Sequence, residues 1–332
     1  MTSTLNIAII AGGNSSEEGI SLKGAAQIAK WLDSQRYNVY TVLVKDTSFT
    51  LKHPKGDYLV SWDSFTANVD DEVIRFDCAL IAIHGTPGEN GLLQGYFEMM
   101  GIPYTTGGVM NTSVTFNKQA TKRMLNGIDV HLAKEVSMLK GQKVNADDIV
   151  ESLGLPVFVK PNESGSSYGI TKVKNAGDLI PALEKSFTED NVALVEEFIP
   201  GVELTCGVVK TQNKTLVLPV TEIVPKNEFF DYGAKYENQV EEITPARIPD
   251  ELTDQIQSVS SEIYDRLSCR GIVRIDYIYS NKKLFFLEVN TVPGMSETSI
   301  VPQQVEALGL TMGDVFAMVI EDAISRKVKM LR

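Results

Sequence analysis

Apolar positions recur along the chain at two different periods, and they predict alternating strands and helices. Residues 5–11 and 37–44 are short apolar runs, and residues 21–32 between them carry apolar side chains at helical spacing. A third run, residues 78–83, also has the character of a buried strand. Because strand–helix–strand alternation is typical of parallel sheets, we expect an N-terminal parallel sheet with helices on both faces.

Two loops are candidate domain boundaries in the rest of the chain. Residues 101–108 are rich in glycine and threonine, and residues 200–201 are Pro-Gly, a common turn sequence. Short strands and a helix near residues 250–268 follow the second loop. Residues 47–71 show no clear period, and they could hold a short hairpin or an insertion.

Composition narrows the class of protein. Hydrophobic residues make up 43% of the 332 residues and charged residues 22%, an ordinary globular mixture. The net charge of −12 would repel a phosphate backbone, which argues against general nucleic-acid binding. Cys78, Cys206 and Cys269 lie far apart, so we predict buried free thiols. The apolar stretch at residues 7–11 is too short for a signal peptide or membrane span, and we expect a cytoplasmic protein.

A hairpin turning at residues 281–283 places polar side chains together. Side chains alternate along a strand, so Arg274 and Asp276 share one face, as do Glu288 and Asn290. With a three-residue loop, Asp276 stands opposite Glu288, and Arg274 stands opposite Asn290. Two carboxylates and an amide oxygen suit magnesium, and an arginine suits charge that develops on a phosphoryl group or tetrahedral intermediate. A solvated face with a cross-strand ion pair remains the alternative.

Other candidate groups lie in loops. Neither standard phosphate-binding glycine motif is present, but Lys160 is followed by a glycine- and serine-rich loop at residues 164–169. Such a loop either binds phosphate or is an ordinary turn. Gly294 offers a backbone N–H to an oxyanion, and Ser299 is either a carboxylate donor or a helix N-cap. His84 ends a strand, where a single histidine is more often structural than catalytic.

Six segments together give the chain a resemblance to the D-alanine–D-alanine ligase family of the ATP-grasp superfamily. Each segment alone is weak, but their order along the chain is highly specific. They are Gly12-Gly13-Asn14-Ser15-Ser16-Glu17, residues 84–91, Lys160-Pro161 with residues 165–169, Tyr232-Gly233-Ala234-Lys235-Tyr236, Arg274-Ile275-Asp276, and residues 288–295. The resemblance implies ATP-dependent joining of two D-alanines for peptidoglycan synthesis, through a D-alanyl phosphate.

The resemblance also implies a role for each matched position. Catalytic roles, including substrate orientation and stabilisation of the intermediate, are expected at Glu17, Ser166, Tyr236, Arg274 and Gly294. Substrate-binding positions are Glu17, which should hold the ammonium of the first D-alanine, with His84, Ser299 and Ile300. The ATP-binding positions are Lys118, Lys160, Ser166, Ser167, Glu196, Glu197, Ile199, Glu203 and Lys235. Two Mg²⁺ or Mn²⁺ ions are expected at Asp276, Glu288 and Asn290.

The fold implied by the resemblance is α/β, with an N-terminal parallel-sheet domain and an ATP-grasp fold of two α+β domains. We place the domains at residues 1–106, 107–196 and 197–332. Residues 226–242 are expected to form a lid, pinned by hydrogen bonds that Ser166 and Tyr236 make with Glu17. The partners are D-alanine and ATP, with no nucleic acid and no membrane, and family members are usually homodimers.

The chain departs from the family pattern in four places. Glu18-Gly19 stands where relatives commonly have Arg-Glu, which removes a positive charge beside the substrate site. Ser164 replaces an acidic residue, and Phe230 replaces a lid tyrosine. Residues 46–71 are longer than in compact relatives, and we expect them to decorate the surface. None of these differences removes a predicted metal ligand or Arg274, so we expect an active enzyme.

Three other functions are alternatives to the joining of two D-alanines. Another ATP-grasp ligase, of which a D-alanyl–D-lactate enzyme is the nearest form, shares the ATP and metal positions. Glu17, Tyr236 and Ser299 favour the dipeptide-forming type. A silent nucleotide-binding protein would need no arginine at position 274, and a nicotinamide dehydrogenase would require the absent three-glycine fingerprint.

Overall fold

The computed structural model describes residues 4–165, 168–225 and 240–330. Its strands are β1 (Leu5–Gly12), β2 (Tyr37–Lys45), β3 (Ser48–His53), β4 (Gly56–Leu59), β5 (Thr66–Val69), β6 (Glu72–Arg75), β7 (Cys78–Ile81), β8 (Glu135–Leu139), β9 (Val157–Pro161), β10 (Thr171–Val173), β11 (Val192–Glu197), β12 (Val202–Lys210), β13 (Thr215–Val217), β14 (Thr221–Pro225), β15 (Val240–Ile243), β16 (Gly271–Ser280) and β17 (Lys283–Asn290). Its helices are α1 (Glu18–Trp31), α2 (Leu92–Met99), α3 (Val109–Phe116), α4 (Lys118–Met124), α5 (Ala146–Leu153), α6 (Leu179–Ser186), α7 (Asp250–Arg266), α8 (Ile300–Ala307) and α9 (Met312–Met330), with a 3-10 turn at Ala176–Asp178.

The N-terminal sheet is mixed rather than purely parallel. Its strand order is β4-β3-β2-β1-β7, and β1 pairs in parallel with both β2 and β7. The prediction of an all-parallel sheet was wrong at one edge, where β3 and β4 continue from β2 as antiparallel strands. Helices cover both faces, as expected: α1 and α9 pack on one face, and α2 packs on the other.

Residues 46–71 are not the surface decoration that the sequence suggested. They supply β3, β4 and β5, and they bury Phe49 and Phe65 in the cluster on one face of the N-terminal sheet. The Phe49 ring lies 4.9 Å from Trp62 and 5.3 Å from Tyr96, measured between ring centroids. The aromatic residues that obscured the period of this segment therefore form part of the hydrophobic core.

Two further sheets follow along the chain. The second sheet has the order β10-β9-β11-β8, and all of its neighbours are antiparallel. The third sheet has six strands in the path β15-β14-β12-β16-β17, with β13 paired to β12. Helix α7 packs on the third sheet through Ile256 and Ile263, which are fully buried. These antiparallel sheets carry Lys160 and Arg274 respectively.

The β16–β17 hairpin has the predicted pairing but not the predicted loop. Its turn has two residues, Asn281 and Lys282, both with positive φ, as tight hairpin turns favour. A bulge lies between the pairs Asp276–Glu288 and Tyr277–Phe286, which leaves Leu287 as an extra residue in β17. The shorter turn and the bulge offset each other, so the site strands meet as expected.

The prediction about the cysteines has a clear outcome. Cys78, Cys206 and Cys269 are buried free thiols, as predicted, and burial raises the pKa of each to about 12. Among the described helices, none combines the length and apolar character needed to cross a membrane.

Truncating Phe49 tests whether residues 46–71 belong to the core. Phe49→Ala removes a side chain that is 2% exposed, and we expect the free energy of unfolding to fall by about 3–5 kcal/mol. The control Leu59→Ala changes a side chain that is 77% exposed in the same segment, and it should cost less than about 0.5 kcal/mol. Urea denaturation followed by circular dichroism measures both; similar values for the two variants would contradict the core assignment.

Candidate active site

The described site residues are joined by direct contacts that cross the three sheets. Glu17 touches the backbone near Gly165, since a Cβ built there would lie 2.4 Å from Glu17 Oε2. The adjacent Ser164 carbonyl accepts a 2.7 Å hydrogen bond from Lys118 Nζ. Lys118 Nζ in turn lies 4.0 Å from Glu288 Oε2 on β17. A path of contacts therefore runs from the end of β1 to the C-terminal hairpin.

Glu17 is a buried carboxylate immediately before helix α1. It is 4% exposed, and its backbone carbonyl accepts hydrogen bonds from the amides of Ile20 and Ser21. Gly85 also approaches it, with a Cβ position 3.1 Å from Glu17 Oε2. A larger residue at position 165 would collide with the carboxylate, so glycine there is a steric requirement of this site.

Lys118 is a buried cation at the start of α4. Burial lowers its pKa, while the charge of Glu288 acts in the opposite direction. Its hydrogen bond to a neutral carbonyl compensates only partly for the loss of water around an ammonium group. An anion beside Lys118 would stabilise its charged form, which is the electrostatic requirement of a phosphate-binding lysine.

Lys160 belongs to a buried ionic network that the sequence analysis missed. Glu196 on β11 binds Lys160 Nζ at 2.7 Å through one oxygen, and it binds Lys122 through the other. Lys122 also donates to Glu135 on β8 at 2.6 Å. Burial acts to raise the pKa of Glu196, but the charges of Lys160 and Lys122 outweigh it and lower that pKa. The spacing of Lys118 and Lys122, four residues apart on one helix, was the available signal.

The predicted adenine and ribose positions lie at the end of β11 and on β12. The Glu196 side chain is engaged by lysines, and Glu197 Oε1 accepts a 2.8 Å hydrogen bond from the amide of Lys134. Ile199 is half-buried after β11, and Glu203 is half-buried on β12. Protein groups already bind both carboxylates of the Glu196-Glu197 pair, and the backbone of these residues is paired with β8 and β9. The Glu197 amide also donates to the Lys134 carbonyl at 3.0 Å.

The hairpin gathers its four polar side chains as predicted. Arg274 donates from Nε and Nη2 to the two oxygens of Asp276, each at 2.8 Å. Burial acts to lower the pKa of Arg274, but the charge and hydrogen bonds of Asp276 raise it. Thr205 Oγ1 and Asn290 Nδ2 also donate to Asp276, at 2.5 Å and 2.9 Å. The guanidinium is thus held in a fixed, charged state.

The chemistry of this donor set fits a divalent metal ion of the magnesium type. Asp276 and Glu288 are directly paired across the hairpin, and Asn290 supplies an amide group beside them. Hard oxygen ligands of this kind are those that magnesium selects. Asp276 already accepts four hydrogen bonds, so a metal at its oxygens would replace one of these donors. This set has two carboxylates and one amide. In the described part of the chain, no group of three or more His, Cys, Asp and Glu side chains could hold a metal ion.

The remaining substrate positions lie beside this hairpin. Ser299 precedes α8 as its N-cap residue, but its Oγ accepts from the Ser296 amide at 2.9 Å rather than capping the helix. A Cβ at Gly294 would lie 3.1 Å from Ser299 Oγ, so the two are neighbours. Ile300 is buried at the first turn of α8, and His84 is 8% exposed after β7. The predicted residues Ser166, Ser167, Lys235 and Tyr236, together with Phe230, lie outside the described residues.

Glu89 is a second site residue to which the sequence analysis gave no role. Its Oε2 accepts from the Gly85 amide at 2.9 Å, and its Oε1 accepts from Thr291 Oγ1 and the Val292 amide, at 3.2 Å and 3.1 Å. Burial, with the nearby charge of Glu17, raises the pKa of Glu89 to about 7. Glu89 thus lies near Glu17, but three protein donors already bind its own carboxylate oxygens.

This combination of antiparallel sheets, buried lysines and a polar hairpin is that of an ATP-grasp enzyme, and comparisons with known proteins specify the family. A family model for the D-ala D-ala ligase N-terminus matches residues 6–107, and one for the D-ala D-ala ligase C-terminus matches residues 125–321. The D-alanine–D-alanine ligase of Parabacteroides distasonis is 46% identical over 327 residues, covering 98% of this chain and 99% of that protein. The chain belongs to the D-alanine–D-alanine ligase family.

Solved structures agree with this assignment. The D-alanyl-alanine synthetase A of Vibrio cholerae superposes with a TM-score of 0.87 at 25% identity, covering 98% of this chain and all of that one. A D-alanine–D-alanine ligase of Bacillus anthracis complexed with ATP superposes with a TM-score of 0.78 at 28% identity, covering 99% of this chain and 100% of that one. The fold is therefore that of the family along nearly the whole chain.

The raised pKa of Glu89 makes stability depend on pH. Because folding raises this pKa from 4.5 to about 7, the folded state binds the proton more tightly than the unfolded chain. The contribution of protonated Glu89 to the free energy of unfolding is therefore complete below about pH 4.5, and it is lost as the pH rises through about 7. Relative to Glu89→Gln, the free energy of unfolding of the wild type should fall by about 3 kcal/mol across this range, measured with urea. A difference that does not change with pH would contradict the shifted pKa.

Proposed function

We propose that the protein joins two D-alanines into D-alanyl-D-alanine for peptidoglycan synthesis, using ATP. The observation that carries this proposal is the path of contacts from Glu17 through Lys118 to Glu288. It connects a carboxylate suited to an ammonium group with a cation suited to phosphate and with the polar hairpin. Membership of the family supports D-alanine and ATP as the substrates, and the contacts support the roles proposed for these residues.

In the first step, the carboxylate of one D-alanine attacks the γ-phosphorus of ATP. The bond from this phosphorus to the β-phosphate oxygen breaks, ADP leaves, and an acyl phosphate forms. Glu17 holds the ammonium of this D-alanine. Lys118 and Lys160, with Lys235, neutralise the phosphates. Burial strengthens each of these charge interactions and keeps water from the anhydride.

In the second step, the amino group of the second D-alanine attacks the acyl phosphate, and phosphate leaves. Arg274 and the backbone N–H of Gly294 stabilise the tetrahedral intermediate, while Ser299 and Ile300 hold the second D-alanine. The contact distance between Gly294 and Ser299 supports this arrangement, because oxyanion and carboxylate donors must be close together. His84 lines the same region.

The nucleotide lies between the second and third sheets. Glu196, Glu197 and Ile199 line the adenine, and Glu203 binds the ribose. Ser166 and Ser167, which lie outside the described residues, are assigned to the phosphates by resemblance to the family. Asp276, Glu288 and Asn290 would hold two Mg²⁺ or Mn²⁺ ions, which would offset the negative charge of the phosphates. The ATP complex of the Bacillus anthracis relative supports nucleotide binding at this fold.

Selectivity for the second substrate is assigned to the lid. By resemblance to the dipeptide-forming members of the family, Ser166 and Tyr236 would hydrogen-bond with Glu17 and pin a lid at residues 226–242. Both residues lie outside the part of the chain that the structure describes. A D-alanyl–D-lactate ligase remains the nearest alternative. Because both activities use the same ATP and metal groups, only the acceptor distinguishes them.

Three further parts of the proposal concern the domain boundaries, the cellular location and the oligomeric state. We divide the chain into domains at residues 1–106, 107–196 and 197–332, and we place the protein in the cytoplasm as a homodimer. Exposed apolar side chains on the adjacent helices α2 and α3 support an assembly surface; Met99 is 84% exposed and Met110 is 59% exposed. The comparisons support D-alanine and ATP as substrates.

The experiment that tests the function is ATP-dependent phosphate release with magnesium, with products identified by mass. The substrates are D-alanine, L-alanine, and D-alanine with D-lactate. We expect phosphate release with D-alanine alone and a dipeptide as the product. Depsipeptide formation in preference to dipeptide would support the alternative ligase, and ATP binding without turnover would indicate a silent binder.

Replacing Arg274 tests the charge at the intermediate. Arg274→Ala should lower kcat by about 10²–10³-fold and change ATP affinity by less than about threefold, because the charge matters most in the transition state. The control Arg247→Ala removes an arginine on the opposite side of the same sheet, whose partner is Glu222, and it should leave kcat unchanged. Equal losses of turnover and ATP affinity in Arg274→Ala would contradict the assigned role.

A further inference from the structure

Glu89 connects two loops that belong to different parts of the chain. One loop follows β7 and begins at His84 and Gly85, and the other follows β17 and contains Thr291 and Val292. One carboxylate oxygen accepts from the first loop at 2.9 Å, while the other accepts two hydrogen bonds from the second loop. The two loops are about two hundred residues apart, and the carboxyl group is a direct link between them.

Each of these loops supports a group that the reaction uses. A Cβ built on Gly85 would lie 3.1 Å from Glu17 Oε2, so the first loop approaches the Glu17 carboxylate closely. Val292 precedes Gly294 by two residues, and Gly294 is next to Ser299. A displacement of either loop would therefore change the distance between the ammonium-binding carboxylate and the oxyanion donor.

We infer that Glu89 is a positioning residue, which fixes the spacing between Glu17 and the backbone N–H of Gly294. It thereby sets the distance between the carboxylate that binds the ammonium of the first D-alanine and the N–H that faces its reacting carbonyl. The inference rests on the proposed function. It extends that function to a residue that, in the proposed two-step reaction, contacts neither the dipeptide nor the nucleotide. A misplacement of about 1 Å in such a site costs on the order of 10²-fold in rate.

The carboxylate is needed because donors approach it from both sides. An amide at this position has only one acceptor oxygen, so its NH₂ group would face the N–H of either Gly85 or Val292. Glu89→Gln therefore breaks the link on one side without changing the size of the side chain. Glu89→Asp keeps two acceptor oxygens but shortens their reach by one methylene, so it should retain part of the link.

The first loop does not depend on Glu89 for its folding. Gln94 Nε2 donates to the Gly88 carbonyl at 2.6 Å, and Ser113 Oγ donates to the Asn90 carbonyl at 2.9 Å. Asn90 Nδ2 also donates to Thr86 Oγ1 at 3.1 Å. These contacts hold the loop from its other side, so substitution at Glu89 should loosen its docking rather than unfold it.

The test combines steady-state kinetics with hydrogen exchange of the full chain. The variants are Glu89→Gln, Glu89→Asp and Thr291→Val, and the matched control is Glu98→Gln. Glu98 lies on α2 and is exposed. In the described part of the chain, its side chain accepts a hydrogen bond from the Tyr104 hydroxyl and contacts neither of the two loops. Exchange of the segments around residues 85 and 292 reports the link without requiring turnover.

The expected result has two parts. Glu89→Gln should lower kcat/KM for D-alanine by about 10²-fold, with the KM for ATP changed less than about twofold. Exchange should rise in at least one of the two loops. Glu89→Asp should recover part of both effects, Thr291→Val should lose only a few-fold in rate, and Glu98→Gln should match the wild type.

Several results would overturn the inference. Exchange that rises without loss of rate would show that the link does not position the reacting groups. A rate loss without a change in exchange, or one shared equally between D-alanine and ATP, would show that Glu89 acts in another way. A wild-type protein that makes no dipeptide would refute the proposed function instead, and unchanged exchange in Glu89→Gln would then still refute the link.

Discussion

Buried charges need partners, and the pairing of charges in this site determines which groups remain available to substrates. Glu196 binds both Lys160 and Lys122, and Asp276 binds Arg274 through two hydrogen bonds. Lys118 is different: it donates to the neutral Ser164 carbonyl, and its ion pair with Glu288 is long at 4.0 Å. The lowered pKa of Lys118 expresses this weaker compensation. A polyphosphate would supply the negative charge that the protein alone provides only partly.

The hydrogen bonds between these charged side chains also fix the orientation of the arginine on the hairpin. Arg274 is oriented by a carboxylate on its own strand, and Asp276 is in turn held by Thr205 on the neighbouring strand. A guanidinium fixed in this way can meet developing charge without first being reoriented. Glu89 joins the loop after β7 to the loop after β17, so this carboxylate and the three sheets together hold the candidate site residues in place.

Much of this arrangement was predictable from the sequence, because motifs report local chemistry. The alternation of side chains along β16 predicted that Arg274 and Asp276 share one face. The family motifs implied the roles of these residues. The bulge at Leu287 was not predictable, because it depends on how the two strands pair rather than on either strand alone. The buried partners Lys122 and Glu135 were also missed, because the four-residue spacing of Lys118 and Lys122 does not show which carboxylates on other elements these lysines contact. The aromatic segment around Phe49 lacked a clear period because its rings pack on one another.

Transfer of an oxygen atom from substrate to phosphate tests the central claim most directly. The account requires the D-alanine carboxylate to attack ATP, so one carboxylate oxygen must leave with the released phosphate. D-alanine labelled with heavy oxygen in its carboxyl group is incubated with the enzyme, ATP and magnesium, and the phosphate is analysed by mass spectrometry. We expect one labelled oxygen in each phosphate released with the dipeptide. Dipeptide formation with unlabelled phosphate would show that no acyl phosphate forms, and it would contradict the account.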